Sequence, residues 1–197
     1  MTDTETLNVY AQKAQDYADL TVEGTRKDKQ LLGFLAALPP GGTVLDIGCG
    51  PGHASGQIAQ AGFRVIAMDP VREMVDLAAQ QNGVSATQGT FDDVTGTDCY
   101  DGIWANFSML HVPRADVPRH LRAITTALKP GGVFHIGVKL GSGTKRDPIG
   151  RLYTYFTEPE LETLLGDVNL TITDRSYGSD KGLDGVMADW ICLRAYG

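Results

Sequence analysis

Cysteine is scarce in this 197-residue chain, and its three cysteines, Cys49, Cys99 and Cys192, are odd in number and widely separated. There is no Cys-x-x-Cys pair, so the pattern suggests neither a disulfide framework nor a zinc knuckle, and we predict no metal. No apolar run approaches the length that crosses a membrane, and the acidic N-terminal residues are not typical of a secretory signal. We therefore expect a cytoplasmic protein.

Basic residues are also few. The 17 lysines and arginines are outnumbered by 24 aspartates and glutamates, which gives a formal net charge of −7. This balance argues against a broad basic face that binds nucleic acid. A local group of basic residues, Lys139, Lys145 and Arg146, is interpreted as part of a solvated loop.

The composition is that of one globular domain. Apolar residues make up 42% of the chain and charged residues 21%, which is ordinary for a protein that buries a sizeable core. We expect a single domain over residues 1–197, because this length leaves little room for a second one. Residues 1–40 contain two stretches with helical spacing of apolar residues and then a Pro-Pro-Gly-Gly stop. We expect them to form an N-terminal helical cap.

Strand-like and helix-like segments alternate after residue 42. Seven short apolar runs predict β-strands: Thr43–Ile47 and residues 64–68, 84–87, 102–105, 133–138, 170–174 and 187–194. Helical patterns separate the earlier runs, whereas the last two are consecutive. The order predicts an α/β fold, a doubly wound, mostly parallel seven-stranded sheet with an antiparallel edge strand. Ligands of such sheets bind at the carboxyl ends of the strands.

The strongest ligand signal follows the first strand. Asp46-Ile47-Gly48-Cys49-Gly50-Pro51-Gly52-His53 places an acid before three glycines at alternating positions, which exposes the main chain to a ligand. A dinucleotide site needs the spacing Gly-x-Gly-x-x-Gly, and a carboxylate beside a pyrophosphate is repulsive. S-adenosylmethionine (SAM) has an ammonium and a sulfonium, which favour nearby carboxylates and carbonyls. The charges therefore favour SAM over NAD.

This loop resembles the first motif of class I SAM-dependent methyltransferases, and it matches the pattern Asp-x-Gly-x-Gly-x-Gly completely. Lys129-Pro130-Gly131-Gly132 is similar to the turn before that family's fifth strand. The resemblance covers roughly residues 43–138 and implies a Rossmann-like methyltransferase fold with SAM as cofactor and S-adenosylhomocysteine (SAH) as product. The cofactor-binding residues that it predicts are Asp46, Gly48, Cys49, Gly50, Gly52, His53, Asp69, Pro70, Met74, Thr90, Phe91, Asp92, Asn106, Phe107 and Tyr17.

Two of these positions carry specific expectations. A carboxylate at Asp69, at the end of the second strand, can accept hydrogen bonds from both ribose hydroxyls, although a helix N-cap is the alternative. After the third strand the family often has an acid that receives the adenine amino group, and this sequence has Thr90 there. Either Asp92 or the Thr90 hydroxyl would then serve, with Phe91 covering the base.

The sequence carries fewer signals for the acceptor site than for the cofactor site. Methyl transfer from a sulfonium depends mainly on alignment of the acceptor with the donor and on exclusion of water, so few specific side chains are required. His111, on the loop after the fourth strand, is the candidate base, with a packing role as the alternative. Tyr153 and Tyr155 either line the acceptor pocket or belong to the core. In the N-terminal cap, Tyr10 and Tyr17 either cover the cofactor or pack the helix onto the domain.

The function predicted from these residues is methyl transfer from SAM to a small-molecule acceptor. The alternative is a non-catalytic protein of the same fold that binds SAM or a nucleoside and acts as a regulator. An NAD-dependent oxidoreductase is a third possibility, against which both the glycine spacing and Asp46 argue.

Overall fold

A seven-stranded sheet forms the centre of the computed structural model, which describes residues 3–197. Its strands are β1 (Thr43–Ile47), β2 (Arg64–Asp69), β3 (Val84–Gln88), β4 (Tyr100–Asn106), β5 (Leu128–Lys139), β8 (Thr171–Lys181) and β9 (Met187–Tyr196). The order is β3-β2-β1-β4-β5-β9-β8. The first five strands run parallel, and β9 pairs antiparallel with both β5 and β8. The predicted fold is confirmed.

Helices cover both faces of this sheet. They are α1 (Thr4–Gln12), α2 (Ala14–Arg26), α3 (Lys29–Ala36), α4 (His53–Gln60), α5 (Arg72–Ala78), α6 (Val117–Ala127) and α7 (Glu158–Gly166). Side chains of α6 and α7, including Leu121 and Leu161, pack in one buried cluster with Leu45 of β1. Phe34 of α3 and Ile58 of α4 pack in another with Val44. Successive β1 residues thus face opposite layers, as the pleat of a strand requires.

Local sequence explains where several helices begin. The Asp3 carboxylate accepts a hydrogen bond from the Thr6 N–H at 2.8 Å at the start of α1, and Asp28 does the same for Gln30 at the start of α3. Thr157 and Glu160 form a reciprocal capping box at the start of α7, in which each side chain bonds the backbone of the other residue. These bonds satisfy N–H groups that have no partner within the first helical turn.

Two segments differ from the prediction. The sequence predicts a solvated loop around Lys145 and Arg146, but Thr144–Arg146 (β6) pairs antiparallel with Leu152–Thr154 (β7) as a separate hairpin. The predicted turn at residues 129–132 lies within β5 as an irregularity: the register with β4 steps from Tyr100 opposite Leu128 to Gly102 opposite Val133. Gly131 has a φ of +74° there, a conformation that glycine adopts without steric cost.

Among residues 3–197, none of the helices combines the length and the apolar character that a membrane crossing requires.

Candidate active site

A cavity of about 650 Å³ lies at the carboxyl ends of β1, β2 and β4. The cleft is walled by the loop between β1 and α4, by the N-terminal helices and by the end of the β8–β9 hairpin. Most of the predicted site residues line it: Asp46, Gly48, Cys49, Gly50, His53, Asp69, Pro70, Met74, Thr90, Phe91, Asn106, Phe107, His111, Tyr153 and Tyr17. Within residues 3–197, the lining does not include Gly52, Asp92 or Tyr155.

The glycine loop has the shape that only its composition permits. Gly48 and Gly52 have φ values of +72° and +77°, in the left-handed region that residues with a Cβ rarely adopt. A Cβ on Gly48 would lie 2.2 Å from the Cβ of Ser108, and one on Gly52 would lie 2.7 Å from the Cα of Ala78. Both glycines therefore allow close packing of the loop, and Gly52 contributes through this packing.

Asp69 joins the end of β2 to this loop. Its Oδ2 accepts a hydrogen bond from the Gly50 N–H, and its Oδ1 accepts one from the Val71 N–H, both at 2.9 Å. A carboxylate oxygen can accept more than one hydrogen bond, so each oxygen retains capacity for a ribose hydroxyl. Asp69 therefore stabilises the glycine loop through these hydrogen bonds and also lines the cleft.

Asp46 lies beneath the loop with 2% of its surface exposed. Its Oδ2 accepts a hydrogen bond from the Ser55 hydroxyl at 2.5 Å. Burial, to which the charge of Asp69 adds, raises the pKa of Asp46 to about 7, and the bond from Ser55 opposes this rise. Burial likewise raises the pKa of Asp69 to about 6. Among residues 3–197, neither carboxylate makes an ion pair with a lysine, arginine or histidine, and a cationic ligand would stabilise their ionised forms.

The region after β3 separates the two residues proposed for adenine. Thr90 lines the cleft, but its hydroxyl oxygen accepts the Asp92 N–H at 3.1 Å and caps the short 3₁₀ helix Phe91–Asp93. The side chain of Asp92 makes an ion pair with Arg119 outside the cleft, and this pairing lowers its pKa. Of the three residues predicted to contact adenine, Phe91 is the one that is both buried and part of the cleft lining.

Helix α2 covers the glycine loop. A Cβ on Gly50 would lie 3.4 Å from the Tyr17 ring, and the His53 Nε2–H donates to the Ala18 carbonyl at 3.0 Å. Tyr10 of α1 contacts Tyr17 edge to face, with ring centroids 5.4 Å apart. The N-terminal helices are thereby fixed over the predicted cofactor loop through hydrogen bonds and ring contacts.

His111 stands in a chain of hydrogen bonds that uses both ring nitrogens. Because a carbonyl only accepts, Nδ1 carries the proton and donates to the Leu152 carbonyl at 2.8 Å. Nε2 then accepts from the Tyr10 hydroxyl at 2.9 Å, and the Tyr10 oxygen accepts from Nη1 of Arg151 at 2.9 Å. Burial lowers the pKa of His111 to about 4. The imidazole is neutral, and its lone pair is already engaged.

The cleft also contains side chains that the sequence does not assign to the site. Lys139, Arg151 and Trp190 line it together with Tyr153. The interpretation of Lys139 as part of a solvated loop is wrong, because this residue ends β5, is half-buried and has its Nζ 4.0 Å from the centre of the Tyr153 ring. A charged residue at the end of an apolar strand is the signal that could have identified it. Tyr155 points elsewhere, with its ring beside Gly141.

The buried residue His135, for which the sequence contains no recognisable signal, orients the side chain of Asn106. The Oδ1 of Asn106 accepts from Nε2 of His135 at 3.0 Å, and the His135 ring stacks on Trp104 with centroids 3.6 Å apart. Burial lowers the pKa of His135 to about 3, so this ring is neutral. The bond leaves the amide nitrogen of Asn106 as the group that can donate toward the cleft.

Comparison with known proteins favours a methyltransferase over a dehydrogenase. A family model described as a methyltransferase domain matches residues 44–132. A solved structure of 1,6-didemethyltoxoflavin-N1-methyltransferase from Burkholderia thailandensis, which holds 1,6-didemethyltoxoflavin and SAH, superposes with a TM-score of 0.76. It is 24% identical, and the match covers 98% of this chain and 87% of that chain. Residues 44–132 of the chain therefore match a methyltransferase domain. The solved relative holds SAH, which agrees with SAM as the predicted cofactor.

Two curated relatives extend beyond the methyltransferase domain that they share with this chain. A cypemycin N-terminal methyltransferase from Streptomyces is 33% identical over 132 residues, which is 64% of this chain and 54% of that protein. The biotin biosynthesis bifunctional protein BioHC from Cellvibrio japonicus is 35% identical over 116 residues, 58% of this chain and 23% of that protein. The chain thus spans about half the length of the first relative and under a quarter of the second.

We expect the affinity of the methyltransferase domain for SAM to rise with pH. The folded protein favours the protonated forms of Asp46 and Asp69, whose raised pKa values are about 7 and 6, whereas the cationic ligand favours the ionised forms. Affinity should therefore increase by about tenfold from about pH 5.5 to about pH 7.5. Titration calorimetry at both pH values measures it. The Asp46→Asn variant should show a smaller dependence, and an equal dependence in both proteins would contradict the assignment.

Proposed function

We propose that the protein transfers a methyl group from SAM to a small-molecule acceptor and releases SAH. The observation that carries this proposal is the continuity of the cleft. One end is lined by Asp46, Asp69 and the glycine loop, and the other by Tyr153, Lys139 and Trp190, within a single cavity of about 650 Å³. This volume lies in the range of cavities that enclose small-molecule ligands.

The residues of the first end fit SAM in charge and shape. Asp46 and Asp69 are buried carboxylates, and the unsubstituted Gly50 leaves main-chain groups open to a ligand. When bound, SAM supplies a methyl group activated on a sulfonium. We propose that Asp69 holds the ribose, that Phe91 covers the adenine, and that Asn106, Phe107 and the loop main chain hold the methionine end. Pro70 and Met74, at the start of α5, would complete the wall.

A small acceptor is favoured by what surrounds the second end. Tyr10 of α1 and Gly182 and Leu183 of the β8–β9 hairpin all line the cleft, and we infer that these elements restrict access by a large substrate. The net charge of −7 also disfavours a nucleic acid as acceptor. The N-terminal helices would act as the cover of the cofactor site, the role expected for residues 1–40.

We assign His111 a positioning role instead of that of a general base. Its Nε2 lone pair accepts the Tyr10 proton and its Nδ1–H is bound to Leu152, so the ring joins α1 to the segment that contains Tyr153. Alignment of acceptor and donor is the main contribution an enzyme makes to a displacement of this kind. Tyr153 contributes its ring to the wall, whereas Tyr155 supports the loop after β5 from outside the cleft.

The Tyr10→Phe variant tests this chain of hydrogen bonds. The change leaves Nε2 of His111 and Nη1 of Arg151 without their partner, so we expect the free energy of unfolding to fall by about 1–3 kcal/mol. Urea denaturation measures the difference. Tyr17→Phe is the matched control, because it removes a second cleft hydroxyl while keeping a neighbouring ring. Equal losses in the two variants would show that the chain through Tyr10 has no special role.

Production of SAH tests the proposed activity itself. The protein is incubated with SAM and a broad panel of small amines, phenols, carboxylic acids and N-heterocycles, and SAH is quantified by mass spectrometry. We expect acceptor-dependent SAH formation that is lost in Asp69→Ala. If the protein binds SAM but forms no SAH with any acceptor, the alternative of a non-catalytic SAM-binding regulator is supported instead.

A further inference from the structure

The ammonium group of Lys139 is partly removed from water, which is unusual for a lysine. It is the last residue of β5, is half-buried and lines the cleft, whereas Lys27 and Lys181, which also line it, are exposed. Its Nζ lies over the face of Tyr153, 4.0 Å from the ring centre. Burial lowers the pKa of Lys139, and the nearby charge of Asp184 opposes that shift. Partial removal of an ammonium from water is unfavourable unless another group compensates.

The carboxylates around Lys139 are engaged by other donors. Asp147 pairs with Arg151 at 2.8 Å, Asp180 accepts from Nε1 of Trp190 at 2.8 Å, and Asp184 accepts from the Val186 N–H at 3.2 Å. Across residues 3–197, Nζ of Lys139 has no hydrogen-bond partner and no carboxylate within 4.0 Å. The ammonium is therefore a charge with donor capacity left for a ligand.

The surfaces around Lys139 are flat and aromatic. The rings of Tyr153 and His111 have centroids 4.6 Å apart, and those of Phe107 and Trp190 meet edge to face at 6.1 Å. All four rings line the same cleft. Ring walls of this kind favour a planar guest through stacking and edge contacts, and a cation at their border favours one that carries a negative charge.

We propose that Lys139 binds the methyl acceptor through an anionic oxygen, and that the acceptor is a planar heteroaromatic acid. The inference rests on the proposed function, since it assigns the substrate class of the same site. It agrees with the state of His111, whose lone pair is engaged: an acceptor that binds in its ionised form needs no base to remove a proton. Lys139 is thus a specificity residue of the acceptor end.

Two planar probes of similar size separate charge from shape. Barbiturate is an anion at neutral pH and uracil is neutral, and each is titrated by calorimetry into the protein saturated with SAH. We expect barbiturate to bind at least about tenfold more tightly than uracil, as for one charge-assisted contact in a partly buried site. Lys139→Met should remove this preference while leaving SAH affinity unchanged.

The control variant is Lys145→Met, which removes an exposed lysine of β6 whose backbone pairs with Tyr153. It should keep the preference for barbiturate. If SAH binds but barbiturate binds no better than uracil, or if Lys139→Met retains the preference, the acceptor assignment is overturned and the methyltransferase proposal stands. If SAH does not bind the wild-type protein, the proposed function is contradicted, and the acceptor assignment that rests on it is contradicted as well.

Discussion

Replacing Asp69 with alanine is expected to lower the affinity for SAM by about tenfold to a hundredfold, corresponding to roughly 1–3 kcal/mol. The carboxylate supports the site in two ways. It accepts the N–H groups of Gly50 and Val71, both at 2.9 Å, and in the proposed binding mode it would also accept the ribose hydroxyls. The substitution removes both contributions, which calorimetric titration with SAM measures directly.

Asp92→Ala is the matched control for this variant. Asp92 is also an acid placed just after a strand of the parallel sheet, but it pairs with Arg119 and does not line the cleft. We expect its SAM affinity to stay within about twofold of the wild type, because an exposed ion pair contributes little. A loss in Asp92→Ala as large as that in Asp69→Ala would mean that the ligand reaches the edge of the sheet at Asp92.

Replacing Gly50 with valine is expected to abolish SAM binding. Gly50 has a φ of +54°, and a Cβ there would already lie 3.4 Å from the Tyr17 ring. A valine side chain would occupy the space between the loop and α2 and cover the main chain that faces the cleft. Because β-branched residues are strongly disfavoured at positive φ, the loop would also change shape. Titration with SAM and with SAH should detect no binding.

Gly41→Val controls for the backbone effect. Gly41 has a φ of +71°, and a Cβ there would meet no atom within 4 Å, so valine brings similar backbone strain without entering the cleft. We expect this variant to be less stable than the wild type by about 1–2 kcal/mol and to bind SAM normally. Circular dichroism verifies that both variants fold. Normal SAM affinity in a folded Gly50→Val protein would place the ligand elsewhere.

The parallel sheet was predictable because its signals are local. Thr43–Ile47 is a short apolar run before a glycine turn, and the buried strands after it follow the same pattern. The ends of the outer strands were harder to predict: β8 continues to Lys181, although the pattern ended near residue 174. Those additional residues are mostly exposed and pair with β9, so their strand conformation comes from the partner strand and leaves no hydrophobic period.

The acceptor end was less predictable because its contacts join distant parts of the chain. Tyr10 and His111 are hydrogen-bonded across 101 positions, and Arg151 reaches Tyr10 across 141. Neither spacing produces a motif. The β6–β7 hairpin escaped prediction for a related reason, since Thr144, Lys145 and Arg146 are all exposed and resemble a solvated loop. Lys139 was grouped with that loop from its charge, whereas its burial follows from the β5–β9 pairing opposite Trp190.

The glycine loop was predictable in part: its position follows from the sequence, whereas its contacts with other elements do not. The sequence identified its glycines, and the fold shows that Gly48 and Gly52 are required by the close approach of Ser108 and Ala78. The direction in which Asp69 points could not be derived from its position in β2 alone. Its bond to the Gly50 N–H depends on β1 and β2 being neighbours in register, with Ile47 opposite Met68.

Calorimetric titration of the wild-type protein with SAM, SAH and NADH tests the central claim most directly. The buried carboxylates Asp46 and Asp69 and the Gly-x-Gly-x-Gly loop predict binding of SAM and SAH, and no binding of NADH, whose pyrophosphate would approach the Asp46 side of the loop. Tight binding of NADH without binding of SAM or SAH would contradict the account and would reassign the cleft to a dinucleotide.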